Sequence, residues 1–233
     1  MTRAVFLDFY NTICYFEPSR EVRQQACCRA FGIEVSLEAL RRAYVYAETY
    51  WTLENAKESI GRRSPDARIT FYCDYERRLL GWAGLEVTRE QARQVYQCYR
   101  NSASRLRLFD DVLPLLRGLR ERGLIAGIIS NTDREIAPLC SELGLDGHVQ
   151  VRLGSFEVGA EKPDPAIFRE ALRLASVNPN EAVHVGDQYH SDVVGARGVG
   201  ITPLLLDRYS VCGEHTDCER IQDLSQVLDH LCT

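Results

Sequence analysis

Along the chain, apolar residues fall into two kinds of pattern. Ala4 to Leu7 is a short unbroken apolar run, as expected for a strand buried on both faces of a parallel sheet. Leu124 to Ile129, Val149 to Leu153, Ala182 to Val185 and Pro203 to Leu206 repeat it, separated by stretches of helical period. That alternation predicts an α/β fold with a doubly wound, mostly parallel sheet. Asp110-Asp111 opens a helix with Val112, Leu113, Leu116 and Leu119 on one face, and Gly123 suits its left-handed C-terminal end. Asp164 followed by Pro165 reads as an N-cap and first-turn proline, with Ile167, Phe168, Leu172 and Leu174 as the buried side.

From about Pro18 to Leu106 the apolar runs stop, and Arg, Glu, Gln, Tyr and Leu recur at spacings of three and four. This predicts amphipathic helices over Val22 to Phe31, Leu37 to Asn55, Ile69 to Trp82 and Arg89 to Arg100, broken at Gly32, Gly61 to Asp66 and Gly84. The expected organisation is an α/β core of residues 1–17 and 107–233 with an inserted all-α domain of residues 18–106.

Composition narrows the function classes. A hydrophobic share of 45% and a charged share of 26% fit an ordinary globular chain and argue against disorder or membrane residence. The net charge of −5 argues against nucleic acid as a partner, and the pairs Arg41-Arg42, Arg62-Arg63 and Arg77-Arg78 sit among acidic or apolar neighbours. The N-terminal apolar run is too short for a secretory signal, so a cytoplasmic protein is expected. Its nine cysteines, odd in number and irregularly spaced, are then expected to be thiols packed in the core.

Candidate chemistry gathers where predicted strands end. Asp8 follows the first strand in Asp8-Phe9-Tyr10-Asn11-Thr12, at the carboxyl end of the sheet where α/β proteins bind ligands. Ser130-Asn131-Thr132 follows the second strand, Lys162 stands in Glu161-Lys162-Pro163, and Gly186-Asp187 precedes Asp192. A carboxylate attacks an anionic substrate only if cations offset the repulsion, and Lys162 with a Mg²⁺ ion on Asp8 and Asp187 would supply that charge. Ser130 and Asn131 can donate to substrate oxygens, the Tyr10 carbonyl can ligate metal, and Asp192 is placed to complete the metal site directly or through water.

This ordered set resembles the four motifs of the haloacid dehalogenase-like superfamily. Thr12 matches the first-motif threonine, Ser130 the second-motif hydroxyl, Lys162 the third-motif lysine, and Asp187 with Asp192 the acidic fourth motif. The resemblance implies a Rossmann-like core, an Asp8 nucleophile and a type 1 helical cap. It also implies a substrate role for Tyr10, Thr12, Ser130 and Asn131.

The chain departs from the family's phosphatases at Tyr10, where they carry a second Asp that protonates the leaving group. Tyr at that position resembles the metal-independent 2-haloacid dehalogenases, but those carry Ser and Asn residues in place of the acidic Gly186-Asp187 pattern, and a Tyr where this chain has Phe168. Asn11 replaces a usual Gly, which a left-handed turn tolerates. The leading expectation is a Mg²⁺-dependent phosphatase acting on a small phosphorylated metabolite. The alternatives are a 2-haloacid dehalogenase and a non-catalytic binding module; monomer or homodimer is open. His184, between two valines, is expected to be a core histidine, and His190 a loop residue and alternative acid–base group.

Overall fold

The computed structural model describes residues 1–58, 60, 63–132, 134–212 and 215–231. It divides into two compact units, one of Met1–Tyr15 with Leu106–Thr233 and the other of Phe16–Arg105.

The first unit is built on six parallel strands: β1 (Ala4–Leu7), β4 (Ile125–Ser130), β5 (Val151–Gly154), β6 (Ala182–Gly186), β7 (Thr202–Leu206) and β8 (Glu219–Ile221). Across the sheet they run in the order β5-β4-β1-β6-β7-β8. Two further strands, β2 (Cys14–Glu17) and β3 (Arg105–Leu108), form a separate pair. The five apolar runs coincide with β1, β4, β5, β6 and β7, within two residues at each end. No such run marks β8, since only Ile221 of its three residues is buried.

Helices cover both faces. On one, α5 (Val112–Glu121) and α6 (Ile136–Glu142) pack Leu115, Leu116, Leu119, Ile136 and Leu139 against Val5, Leu7, Val183 and Val185. On the other, α8 (Pro165–Ala175) packs Ile167, Phe168, Ala171 and Leu172 against Phe6 and Ile129. Short helical turns α7 (Ser155–Val158) and α9 (Gly195–Gly198) complete the unit. The start of α8 is as expected: Asp164 accepts from the Ala166 N–H and Pro165 follows in the first turn. α5 also starts at Asp111 as expected, although that residue makes no side-chain cap bond to its own helix. Its carboxylate instead accepts from Arg208 and the Leu224 N–H.

The second unit consists of α1 (Arg20–Ala30), α2 (Leu37–Lys57), α3 (Pro65–Trp82) and α4 (Arg89–Asn101). Each helix begins on a hydroxyl, Ser19, Ser36, Ser64 or Thr88, that accepts a backbone N–H of the first turn. Of the expected break at Gly61 to Asp66, Gly61 and Arg62 lie outside the described residues, while Pro65 and Asp66 already belong to α3. The Ser64 cap and a first-turn proline move that boundary N-terminal of the first apolar position.

Inside this unit Cys28, Leu40, Leu80 and Val95 form an apolar cluster. Next to it lies a polar chain in which Tyr44 donates to Gln24 at 3.3 Å and Gln24 donates to Glu76. Burial outweighs that bond and pushes the Glu76 carboxyl up to about 8. The expectation that all cysteines are thiols fails at one pair: Cys27 on α1 and Cys98 on α4 are joined by a disulfide. Irregular spacing hides the pair, since helix packing brings together residues 71 positions apart. Cys14, Cys28, Cys73, Cys140 and Cys212 are buried thiols, as expected.

Candidate active site

Asp8 follows β1 and is fixed by its own backbone, whose N–H donates to the Val185 carbonyl of β6 at 2.8 Å. β1 lies between β4 and β6, so the residues leaving all three strands emerge side by side. Lys162, buried to 3% exposure, places Nζ 2.6 Å from Asp8 Oδ1 and 2.7 Å from Asp192 Oδ1. Asp8, Asp187 and Asp192 each offer a carboxylate oxygen within 4.8 Å of one another. Ser130 ends β4 fully buried, and its hydroxyl makes one long contact, 3.5 Å, to the Asn131 carbonyl.

The charges follow from this packing. Burial opposes ionisation of Asp192, but Lys162 and His184 outweigh it and hold the carboxyl well below the usual range. Burial would likewise lower Lys162, yet the two carboxylates keep the ammonium protonated to higher pH than a free lysine. For Asp8, burial and the nearby Asp192 charge prevail over Lys162, and its carboxyl is raised. Lys162 thus brings one positive charge to a group holding three carboxylates.

Oxygen donors from three carboxylates are the set that a small hard divalent ion selects, and Mg²⁺ takes one or two protein carboxylates and completes its shell with water. The residues fit such an ion on Asp8 and Asp187. Asp192 is engaged otherwise: Oδ1 accepts from Lys162 and His184, and Oδ2 from the Gln188 N–H at 3.0 Å.

The other expected residues divide. Asn11 has φ 61°, the left-handed turn its side chain suits, and its N–H donates to the Cys14 carbonyl. Tyr10 is half-buried, with its ring edge-on to Phe9. Thr12 is fully buried and its hydroxyl has no hydrogen-bond partner among the described residues, while its carbonyl accepts from Arg208 at 2.9 Å. Asn131 departs from the expected substrate contact. Its side-chain oxygen accepts from the Lys162 N–H at 2.7 Å and its Nδ2 donates to the Lys162 carbonyl at 2.9 Å, so the amide holds the lysine's main chain. His190 rests against Tyr189.

Sequence reasoning misses the residues that hold these loops. Ser155 Oγ both accepts from the Thr132 N–H and donates to its carbonyl, each at 3.0 Å, pinning the turn after β4. Arg208 ties the turn after β1 to Asp111 and lies 3.9 Å above the Phe109 ring. Neither contact leaves a local sequence signal. Gly186 does leave one, as the residue before Asp187, although the sequence gives it no role of its own: a Cβ built there would stand 2.1 Å from Asp192 Cγ, so the position must be empty for that carboxylate to reach Lys162. Asp192 itself sits in a π-type helical turn, Tyr189–Val194, a local widening of the kind found at functional sites.

Residues 2–200 match the haloacid dehalogenase-like hydrolase family. The chain belongs to that family. This hydrolase is 33% identical over 206 residues to haloacid dehalogenase-like hydrolase domain-containing protein 3 of Bos taurus, a match covering 88% of the chain and 81% of the relative. It is 36% identical over 121 residues to a phosphoserine phosphatase of Thermus thermophilus, covering 51% of the chain and 49% of that protein. In three dimensions it resembles a 2-haloacid dehalogenase from Pseudomonas syringae with a TM-score of 0.59 and 22% identity, covering 98% of this chain and 97% of the other, a likeness of fold. Among the described residues, no helix of the hydrolase is long and apolar enough to cross a membrane.

Proposed function

We propose that the hydrolase is a Mg²⁺-dependent phosphatase that cleaves a small phosphorylated metabolite through an aspartyl-phosphate on Asp8. The observation that carries this reading is the cluster of three carboxylates, Asp8, Asp187 and Asp192, with one ammonium on Asp8 and Asp192, an excess of negative charge that a divalent cation offsets. Displacement of halide at the carbon of a 2-haloacid has no phosphoryl charge for such a cation to offset. Phe168 supports the same choice: it is buried in the core against His184 and lacks the hydroxyl of the dehalogenases' Tyr. The relative named phosphoserine phosphatase is consistent with phosphoryl chemistry, over half the chain.

In this reading Asp8 attacks phosphorus, the alkoxide leaves, and water then hydrolyses the acyl phosphate to regenerate the carboxylate. Lys162 holds Asp8 and offsets charge on the phosphoryl oxygens. The Ser130 hydroxyl, lacking a strong partner, donates to one of those oxygens. Asp8, Asp187 and the Tyr10 carbonyl would hold Mg²⁺, which would supply Lewis-acid stabilisation of the phosphoryl group. Tyr10 is the proton donor nearest in sequence to the nucleophile, and with a reference pKa of about 10 it serves weakly as acid and poorly as base.

The test is release of inorganic phosphate from p-nitrophenyl phosphate with and without chelator, beside release of chloride from 2-chloropropionate. Phosphate release that chelation stops and Mg²⁺ restores is the expected result. Chloride release that persists in chelator would replace this reading with the dehalogenase one, as Tyr10 alone would favour. Absence of both activities would leave a binding module.

A further inference from the structure

His184 sits where the sheet is apolar. Its neighbours Val183 and Val185 pack into the cluster on one face of β6, and His184 points to the other, where Phe168 meets its ring edge-on at 5.3 Å. In register it lies beside Phe6 on β1 and Pro203 on β7. The side chain is 1% exposed, and among the described residues Nδ1 has no hydrogen-bond partner. A buried polar atom without a partner is unfavourable, and a leucine would suit this position better on packing grounds alone.

What the histidine does have is one directed contact: Nε2 lies 2.9 Å from Asp192 Oδ1, the same oxygen that receives Lys162 Nζ. Because that oxygen is a carboxylate acceptor, the shared hydrogen belongs to Nε2. Asp192 Oδ2 is held independently by the Gln188 N–H. With donors on both oxygens, the carboxylate cannot rotate. The Lys162 ammonium is therefore held between an immobile anion and Asp8, with the lysine's main chain clasped by the Asn131 amide.

We infer that His184 is a positioning residue for the reaction, acting through Asp192 to set where the Lys162 ammonium stands against Asp8. It touches neither substrate nor nucleophile. Its contribution is orientation, as in other sites where a partner behind the contacting residue fixes its direction. The kinetic part of the inference rests on the proposed roles of Asp8 and Lys162; the structural part does not.

Two variants separate positioning from packing. His184→Leu removes the donor and keeps an apolar side chain, whereas His184→Gln restores an N–H at a similar reach. Crystal structures of both, with melting temperatures to confirm folding, are compared with wild type. In His184→Leu the Asp192 carboxylate is expected to rotate and Lys162 Nζ to leave its position between Asp8 and Asp192; in His184→Gln both stay.

With p-nitrophenyl phosphate at saturating Mg²⁺, kcat of the leucine variant should fall about 10- to 100-fold with a smaller change in KM, and the glutamine variant should recover most of it. An unmoved Lys162–Asp192 pair in a folded leucine variant overturns the inference, as does equal kcat in the two variants. A wild type inactive on the aryl phosphate would refute the phosphatase reading, and the crystallographic comparison would then decide the role of His184 by itself.

Discussion

Both units bury charged and polar side chains, and they use them differently. In the sheet unit, Asp8, Ser130, Lys162, His184 and Asp192 come from separate loops and strands, yet ion pairs and hydrogen bonds draw four of them into one chain running from His184 to Asp8. In the helical unit, Glu76, Gln24 and Tyr44 form a shorter chain beside an apolar cluster, with no lysine or arginine hydrogen bond among its links. The first chain places charge where strands end. The second encloses a carboxyl that favours its protonated form. The same burial that primes one site makes the other a liability at high pH.

The largest test of this contrast is Asp8→Asn, which keeps shape and removes the attacking charge. Aryl-phosphate turnover should drop at least about 10⁴-fold with the melting temperature nearly unchanged. Residual turnover near wild type would show that the reacting group lies elsewhere.

Tyr10 gives the next effect. General acid–base help is worth about 10²–10⁴-fold, so wild type should cleave aryl phosphates faster than alkyl phosphates by a margin of that order. Tyr10→Asp should narrow it. Equal rates in wild type would mean that another group transfers the proton.

In the helical unit the readout is stability. Glu76 binds its proton more tightly folded than unfolded, so its stabilising contribution is full below about 4.5 and is lost as pH rises through about 8. Each pH unit of that window removes about 1.4 kcal/mol, so the whole loss is on the order of a few kcal/mol. Denaturant titrations between pH 4 and pH 9 should show it, and Glu76→Gln should flatten the profile; an unchanged slope in the variant would refute the assignment.

Smaller still is the effect of opening Cys27–Cys98. Reductant, or Cys98→Ser, should lower stability by about 2–4 kcal/mol while aryl-phosphate turnover at low temperature changes little. Peptide mapping without reductant checks the bond directly, and recovery of both cysteines as thiols would remove it.

How much of this is legible in the sequence depends on the distance over which each feature is encoded. The inner strands are legible because each is a continuous apolar run. Asp8, Lys162, Asp187 and Asp192 are legible as an ordered set because the parallel sheet brings strand exits together, so order along the chain becomes proximity in space. His184 reads only as core. Its partner lies eight residues on, across the end of β6, and a π-type turn sets the approach, which neither strand nor α-helical spacing suggests. Asn131 reads as a substrate contact because its amide suits oxygen ligands, and the main chain of Lys162 offers the same donors and acceptors. Cys27–Cys98 and Glu76–Gln24 arise from helix packing alone.

Gly186 has a consequence for how a map of mutational sensitivity would look. The space its missing side chain leaves is filled by the Asp192 carboxylate, so even alanine would displace an anion rather than bend a backbone. In a comprehensive substitution scan Gly186 would therefore score with the clustered carboxylates, intolerant of every replacement, although it has no functional group of its own. Sensitivity at such a site reports the volume reserved for a neighbour, and a catalytic inventory drawn from loss of activity alone would count an empty space as a participant.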